Sequence, residues 1–147
     1  MFEHQSYLAD NMLGLSIRGE IPPLLVAIVG TRQPTSEAAD AAFSIAKRLA
    51  LSGIGVVSGL ALGIDGAAHR GCLAGGGSTV AVLGHGLDAP VYPEQHSALA
   101  EAIAKRGALV SPFADAMPLS RHSLLARNHW IARLASAVWV VQTKVPG

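Results

Sequence analysis

Leu24-Leu25-Val26-Ala27-Ile28-Val29-Gly30-Thr31-Arg32-Gln33-Pro34-Thr35-Ser36 decides the fold. An unalternating apolar run ends on a glycine, and a helical pattern begins a few residues later. A strand covered on both faces has no reason to alternate apolar with polar residues, so this run is expected to be a buried parallel strand feeding a helix. The helical pattern from Ser36 to Leu51 places Ala39, Phe43, Ala46 and Ala50 on one stripe, with Ser36 as N-cap and Gly53 just past the end.

Four further apolar runs follow: Gly55 to Ser58, Thr79 to Leu83, Ala108 to Ser111 and Ala137 to Val141. Helical patterns separate them over Asp65 to Leu73, His96 to Lys105 and about Arg127 to Leu134. Strand and helix alternate with crossovers long enough for parallel pairing. The pattern predicts an α/β, Rossmann-like, doubly wound and mainly parallel sheet with helices on both faces, over residues 24–147. Residues 1–23 are weakly periodic and close on Pro22-Pro23, which blocks a continuous helix into the first strand; they are expected to be an N-terminal appendage.

At 147 residues the chain suits one domain, large enough to bury roughly 70% of its unfolded surface. Half the residues are hydrophobic and 14% are charged, which points to an apolar surface that self-associates. A net charge of +1 gives no broad electrostatic footprint, so nucleic-acid binding would have to rest on local sites. Cys72 is the lone cysteine, which excludes an intrachain disulfide and is expected to be a small buried helix residue. No apolar run reaches the ~18 residues of a membrane span, and Glu3 and Asp10 stand where a signal peptide would be basic, so a cytoplasmic location is expected. The chain ends a few residues after the fifth apolar run, so the sheet is expected to lack its last strands or to have its edge covered by a partner.

In open α/β sheets ligands collect beyond the carboxyl ends of the strands. After the first run, Gly30 admits close backbone approach, the Thr31 hydroxyl and nearby helix-start amides can bond phosphate oxygens, and Arg32 can grip one bidentately. After the second come Ser58, Gly59, Gly63 and Asp65, a backbone-lined turn onto a helix. It has neither the Walker lysine nor Gly-x-Gly-x-x-Gly spacing, and no cofactor is expected. After the third, Gly84 and Gly86 flank His85, which either contacts a phosphate or base or sits in a loop pinned by Asp88 and Tyr92.

His69 stands four residues after Asp65 and is expected to pair or cap locally rather than act in catalysis. His4, His96 and His122 have no metal-ligand spacing and are expected at the solvated surface. Arg127, Asn128, His129 and Trp130, with Arg133 a turn on, suit a backbone contact beside a stacking platform. Trp130 itself is expected in the core.

Taken in order, Val26 to Arg32, Val57 to Ala61, Gly63-Ile64-Asp65, Ala68 to Gly71, Val80 to Gly84, Gly86-Leu87-Asp88, Tyr92-Pro93 and Arg127-Asn128 resemble the DprA/Smf family of DNA-processing proteins. The resemblance implies an extended Rossmann fold, dimerisation, single-stranded DNA binding and RecA loading in natural transformation, with no catalytic step. It implies that Gly30, Thr31 and Arg32 form a phosphate-binding turn, Ser58, Gly59 and Gly63 a second loop, and Arg127 and Asn128 the start of an Arg-Asn-Arg segment. Leu62 and His129 stand where that family usually has arginine, and Arg133 where it has glycine; each lost basic contact should weaken phosphate binding. A second class remains open, a Rossmann-like enzyme or sensor for a small nucleotide derivative. Against the phosphoribohydrolase version of it, Gly75 to Thr79 precedes a strand instead of following one.

Overall fold

The computed structural model describes residues 14–143. Six strands form one sheet: β1 (Ser16–Gly19), β2 (Leu25–Gly30), β3 (Gly55–Ser58), β4 (Thr79–Val82), β5 (Ala108–Ser111) and β6 (Ala137–Gln142). Four helices connect them: α1 (Ser36–Leu51), α2 (Ile64–Ala74), α3 (Ser97–Arg106) and α4 (Arg121–Leu134), with a 3₁₀ turn at Glu94–His96. The strand order is β1-β5-β4-β3-β2-β6, parallel throughout except for β1, which runs antiparallel to β5.

The unalternating runs behave as two-sided strands. Ile28, Val56, Ala81 and Leu109 face one side, packed by α1, α2 and α3. Ala27, Val57, Val80, Val82, Ala108 and Val110 face the other, closed by Ile131 of α4 with Ile21, Leu15 and Trp130. The chain winds from β2 to β5 with its helices on the first face, then returns through α4 on the second to place β6 beyond β2. That reversal opens a crevice at the carboxyl ends of the central strands.

Several details depart from the sequence reading. Part of the stretch read as an appendage is a strand: Ser16–Gly19 extend the sheet by pairing with Ser111 to Ala108. Residues 1–13 lie outside the described ones. Thr35, not Ser36, caps α1, its side chain accepting from the Ala38 amide at 3.1 Å, and the buried stripe of that helix centres on Ala42 and Ala46. Helix α4 starts at Arg121 because Ser120 and Ser123 cap each other's amides, so Arg127 lies in mid-helix rather than at its start. Among the described residues, no helix is long and apolar enough to cross a membrane.

Candidate functional site

A cleft of about 950 Å³ lies at the carboxyl ends of β2, β3, β4 and β6. Its lining brings together Gly30, Thr31, Arg32, Gly84, Arg127 and Asn128, and adds Gln33, Asp65 and Gln142. Ser58, Gly59, Gly63, His85, Gly86 and His129 do not line it.

The rim is built on the β2–α1 loop. The Thr31 amide donates to the Gln142 carbonyl at 2.8 Å, and the Thr35 amide to the Gln142 side-chain oxygen at 3.0 Å. The Gln33 amide donates to the Thr31 hydroxyl at 3.2 Å. These bonds fix the loop that carries Arg32, whose side chain is exposed. Among the described residues no carboxylate stands within ion-pair distance of that guanidinium. Asn128 is exposed across the cleft on α4.

The floor is charged and buried. Arg127 donates to the Val82 carbonyl and to Oδ1 of Asn128, each at 3.0 Å, and is 7% exposed. Asp65, in the first turn of α2, is 5% exposed. The two charges face each other over Gly59 without forming a direct ion pair, a Cβ there coming 2.5 Å from Nη1 of Arg127 and 2.7 Å from Oδ2 of Asp65. Burial pushes the Asp65 carboxyl up to about 6, against the opposing pull of Arg127 and the Ala61 and Gly30 amides. Burial also lowers the Arg127 pKa, with Asp65 opposing it. For both groups desolvation outweighs mutual attraction.

The remaining residues of the motif hold this floor in place. Ser58 is buried and donates to the Ile28 carbonyl at 2.6 Å. Gly63 has φ +87, and a side chain there would run into the Thr31 and Arg32 backbone; the next amide, of Ile64, donates to the Thr31 carbonyl at 3.2 Å. The two glycine loops touch because position 63 has no Cβ.

His69 does not pair with Asp65. It is fully buried between the Gly59 carbonyl and the Thr79 hydroxyl, and burial pushes its pKa down to about 4. The carbonyl can only accept, so Nε2 carries the ring proton and Nδ1 accepts from Thr79. His96, expected at the surface, is buried with Nδ1 at 2.8 Å from the Leu60 carbonyl. Two histidines thus anchor consecutive carbonyls of the β3–α2 loop.

His85 is not displayed at the sheet end. It is buried, accepts from the Tyr92 amide at Nε2 (3.2 Å) and donates from Nδ1 to the Gly86 carbonyl (2.8 Å). Its loop is pinned, with the Tyr92 backbone as the pin; Asp88 instead pairs with Arg18 at the surface, 3.3 Å away. Gly86 is buried against the carbonyls of Ala114 and Asp115. His129 is exposed on α4 outside the cleft, its ring edge-on to Trp130. Trp130 packs half-buried on the core with the Arg133 guanidinium 5.1 Å above its ring. Cys72 is buried in α2, its thiol pKa raised by burial. Among the described residues no group of three or more His, Cys, Asp or Glu could hold a metal ion.

Sequence reasoning missed Asp65 as a member of the floor and Gln142 as the brace of the rim. A carboxylate directly after a glycine loop, in a chain with an arginine one helical turn before an isoleucine that faces the core, is the signal that could have found the first. Gln142 follows an apolar strand and carries no signal of its own.

The chain is similar to known proteins over most of its length. Residues 4–147 match the model of the family described as DNA recombination-mediator protein A. Protein Smf of Synechocystis is 44% identical over 125 residues, covering 85% of this chain and 31% of that protein. DNA processing protein DprA of Bacillus subtilis is 34% identical over 119 residues, covering 81% and 40%. The chain spans about a third to two fifths of the length of the curated relatives it matches. Among solved structures, DNA processing protein A from Helicobacter pylori, described for its single-stranded DNA binding mode, superposes with a TM-score of 0.80 at 31% identity, covering 90% of this chain and 62% of that one. DprA from Streptococcus pneumoniae gives 0.78 at 34% identity, covering 86% and 45%. With the Rossmann-like sheet and its glycine loops described, these matches show that the chain belongs to the DNA recombination-mediator protein A family, that of the DNA processing proteins DprA and Smf.

Proposed function

We propose that this chain binds single-stranded DNA through its backbone phosphates along the rim of the cleft, and that it does so without a catalytic step or cofactor. The observation that carries the reading is Arg32, an exposed guanidinium with no carboxylate partner among the described residues, held on a braced loop at the sheet end. Thr31 and Asn128 flank it, and a charge-assisted phosphate contact suits such a group. The described binding of single-stranded DNA by the Helicobacter relative supports the same reading. Gly30 and Gly84 line the cleft, while Ser58, Gly59, Gly63, His85, Gly86 and Arg127 shape it from within. His129 serves as an outlying contact on α4.

The biological setting that goes with this is DNA uptake and recombination in the cytoplasm, in natural transformation, with RecA loading as the partner step. A homodimer is part of the proposal. Val138, Trp139 and Val140 on the edge strand β6 are each about half exposed, and an apolar edge of that kind favours a covering partner.

One observation favours a second reading, a small nucleotide derivative as ligand: the cleft volume of about 950 Å³ falls in the range of small-molecule sites. Titration of the chain against labelled single-stranded oligonucleotide, duplex and a nucleotide panel separates the two. The proposal expects single-strand-selective binding that weakens with salt. Equal affinity for duplex, or tight nucleotide binding with no oligonucleotide binding, would overturn it.

A further inference from the structure

We propose that Asp65 sets the specificity of the cleft by occupying its deep anion seat, so that the site takes internal phosphodiesters of a strand and rejects terminal phosphates, free phosphate and nucleotides. The inference rests on the phosphate-binding reading above and names the class of phosphate involved.

A glycine loop leading into a helix is a ready anion site because its backbone amides and the helix N-terminus point at one place. In this chain a carboxylate of the chain itself is already there. Asp65 sits in the first turn of α2, lines the cleft and is 5% exposed. The Gly30 and Ala61 amides face it and favour its charged form. The buried arginine of the floor, Arg127, faces it across Gly59. The place an incoming phosphate would take at the helix start therefore already carries a negative charge.

The donors left for a ligand are on the rim: the Arg32 guanidinium, the Asn128 side-chain NH₂ and the Gln33 side chain. An internucleotide phosphodiester carries a single charge and approaches sideways, so it can be held there without entering the seat. A phosphomonoester carries close to two charges and is best bound end-on at a helix N-terminus. Here it would meet the Asp65 carboxylate in a buried setting, where like-charge repulsion is large.

Two measurements test this. Wild-type protein is titrated with 5′-phosphorylated and 5′-hydroxyl forms of one short oligonucleotide, with orthophosphate as competitor. The two forms should bind within about twofold of each other, and orthophosphate should compete only as its ionic strength does. A clear preference for the 5′-phosphate, or competition by orthophosphate beyond a matched chloride control, would overturn the proposal. In the second arm Asp65→Ala empties the seat and removes its charge. Its affinity for orthophosphate should rise by at least about tenfold over wild type, and unchanged affinity in a folded variant would overturn the proposal. If the variant does not fold, the wild-type arm decides alone. Failure of the wild type to bind any oligonucleotide would remove the single-strand reading, and the orthophosphate comparison would still decide the role of Asp65.

Discussion

The floor and the rim of the cleft stand side by side and are built on opposite principles. On the floor, Asp65, Arg127, Gly59 and His69 are buried, with Arg127 and His69 hydrogen-bonded to backbone carbonyls and Asp65 facing Arg127. On the rim, Thr31 and Gln33 are tied down through their backbone while the Arg32 and Asn128 side chains reach solvent. A motif whose residues look alike in sequence therefore divides into groups that hold the loops and groups that are free to meet a ligand. Burial decides which is which, because a buried charge is committed to its partner.

The sharpest way to break this division is Arg127→Ala. It leaves the Asp65 carboxylate buried without its countercharge and should cost roughly 3–5 kcal/mol of stability at neutral pH. Because Arg127 holds the Asp65 pKa down, its removal raises that pKa further, so the loss should shrink on acidification as Asp65 takes up its proton. Chemical denaturation at pH 7 and pH 5 checks both statements, and a loss independent of pH would count against the pairing.

His69→Gln probes the same floor by titration. His69 has its folded pKa lowered from 6.5 to about 4, so wild-type stability from this group is present above pH 6.5 and is lost as pH falls toward 4. Asp65 works the other way: its folded pKa is raised from 3.8 to about 6, so its contribution is present below 3.8 and lost as pH rises through 6. The variant keeps only the Asp65 dependence. The stability gap between wild type and variant should narrow by about 3 kcal/mol between pH 7 and pH 4, and denaturation midpoints over that range measure it.

On the rim the effects move from stability to binding. Arg32→Ala should weaken single-stranded DNA binding by about ten- to a hundredfold, with its melting temperature unchanged. Asn128→Ala, a neutral contact whose Oδ1 is engaged by Arg127, should cost only about threefold in affinity; fluorescence titration of both variants gives the order.

Much of the fold was legible because buried parallel strands announce themselves as unbroken apolar runs, and all five such runs became strands. The strand that went unread, Ser16–Gly19, is a four-residue edge strand with a polar alternation too short to stand out, and its pairing with β5 is non-local. The start of α4 was hidden because a serine pair caps it. Half of the candidate site residues were placed at the cleft. The histidines were hard to read because their burial depends on backbone groups that the fold brings to them, as the Tyr92 amide does for His85, the Gly59 carbonyl for His69 and the Leu60 carbonyl for His96. Spacing in the chain cannot report that.

The central claim is that an anionic strand is held at the rim through Arg32 while the floor only supports it. Its most direct test is the salt dependence of oligonucleotide affinity for wild type and Arg32→Ala, with melting temperatures taken on the same samples. The account predicts a log–log slope shallower by about 0.7 in the variant, the loss of one single-strand phosphate contact, at an unchanged melting temperature. An unchanged slope together with a lowered melting temperature would contradict it, and would move Arg32 from the binding rim to the framework of the loop.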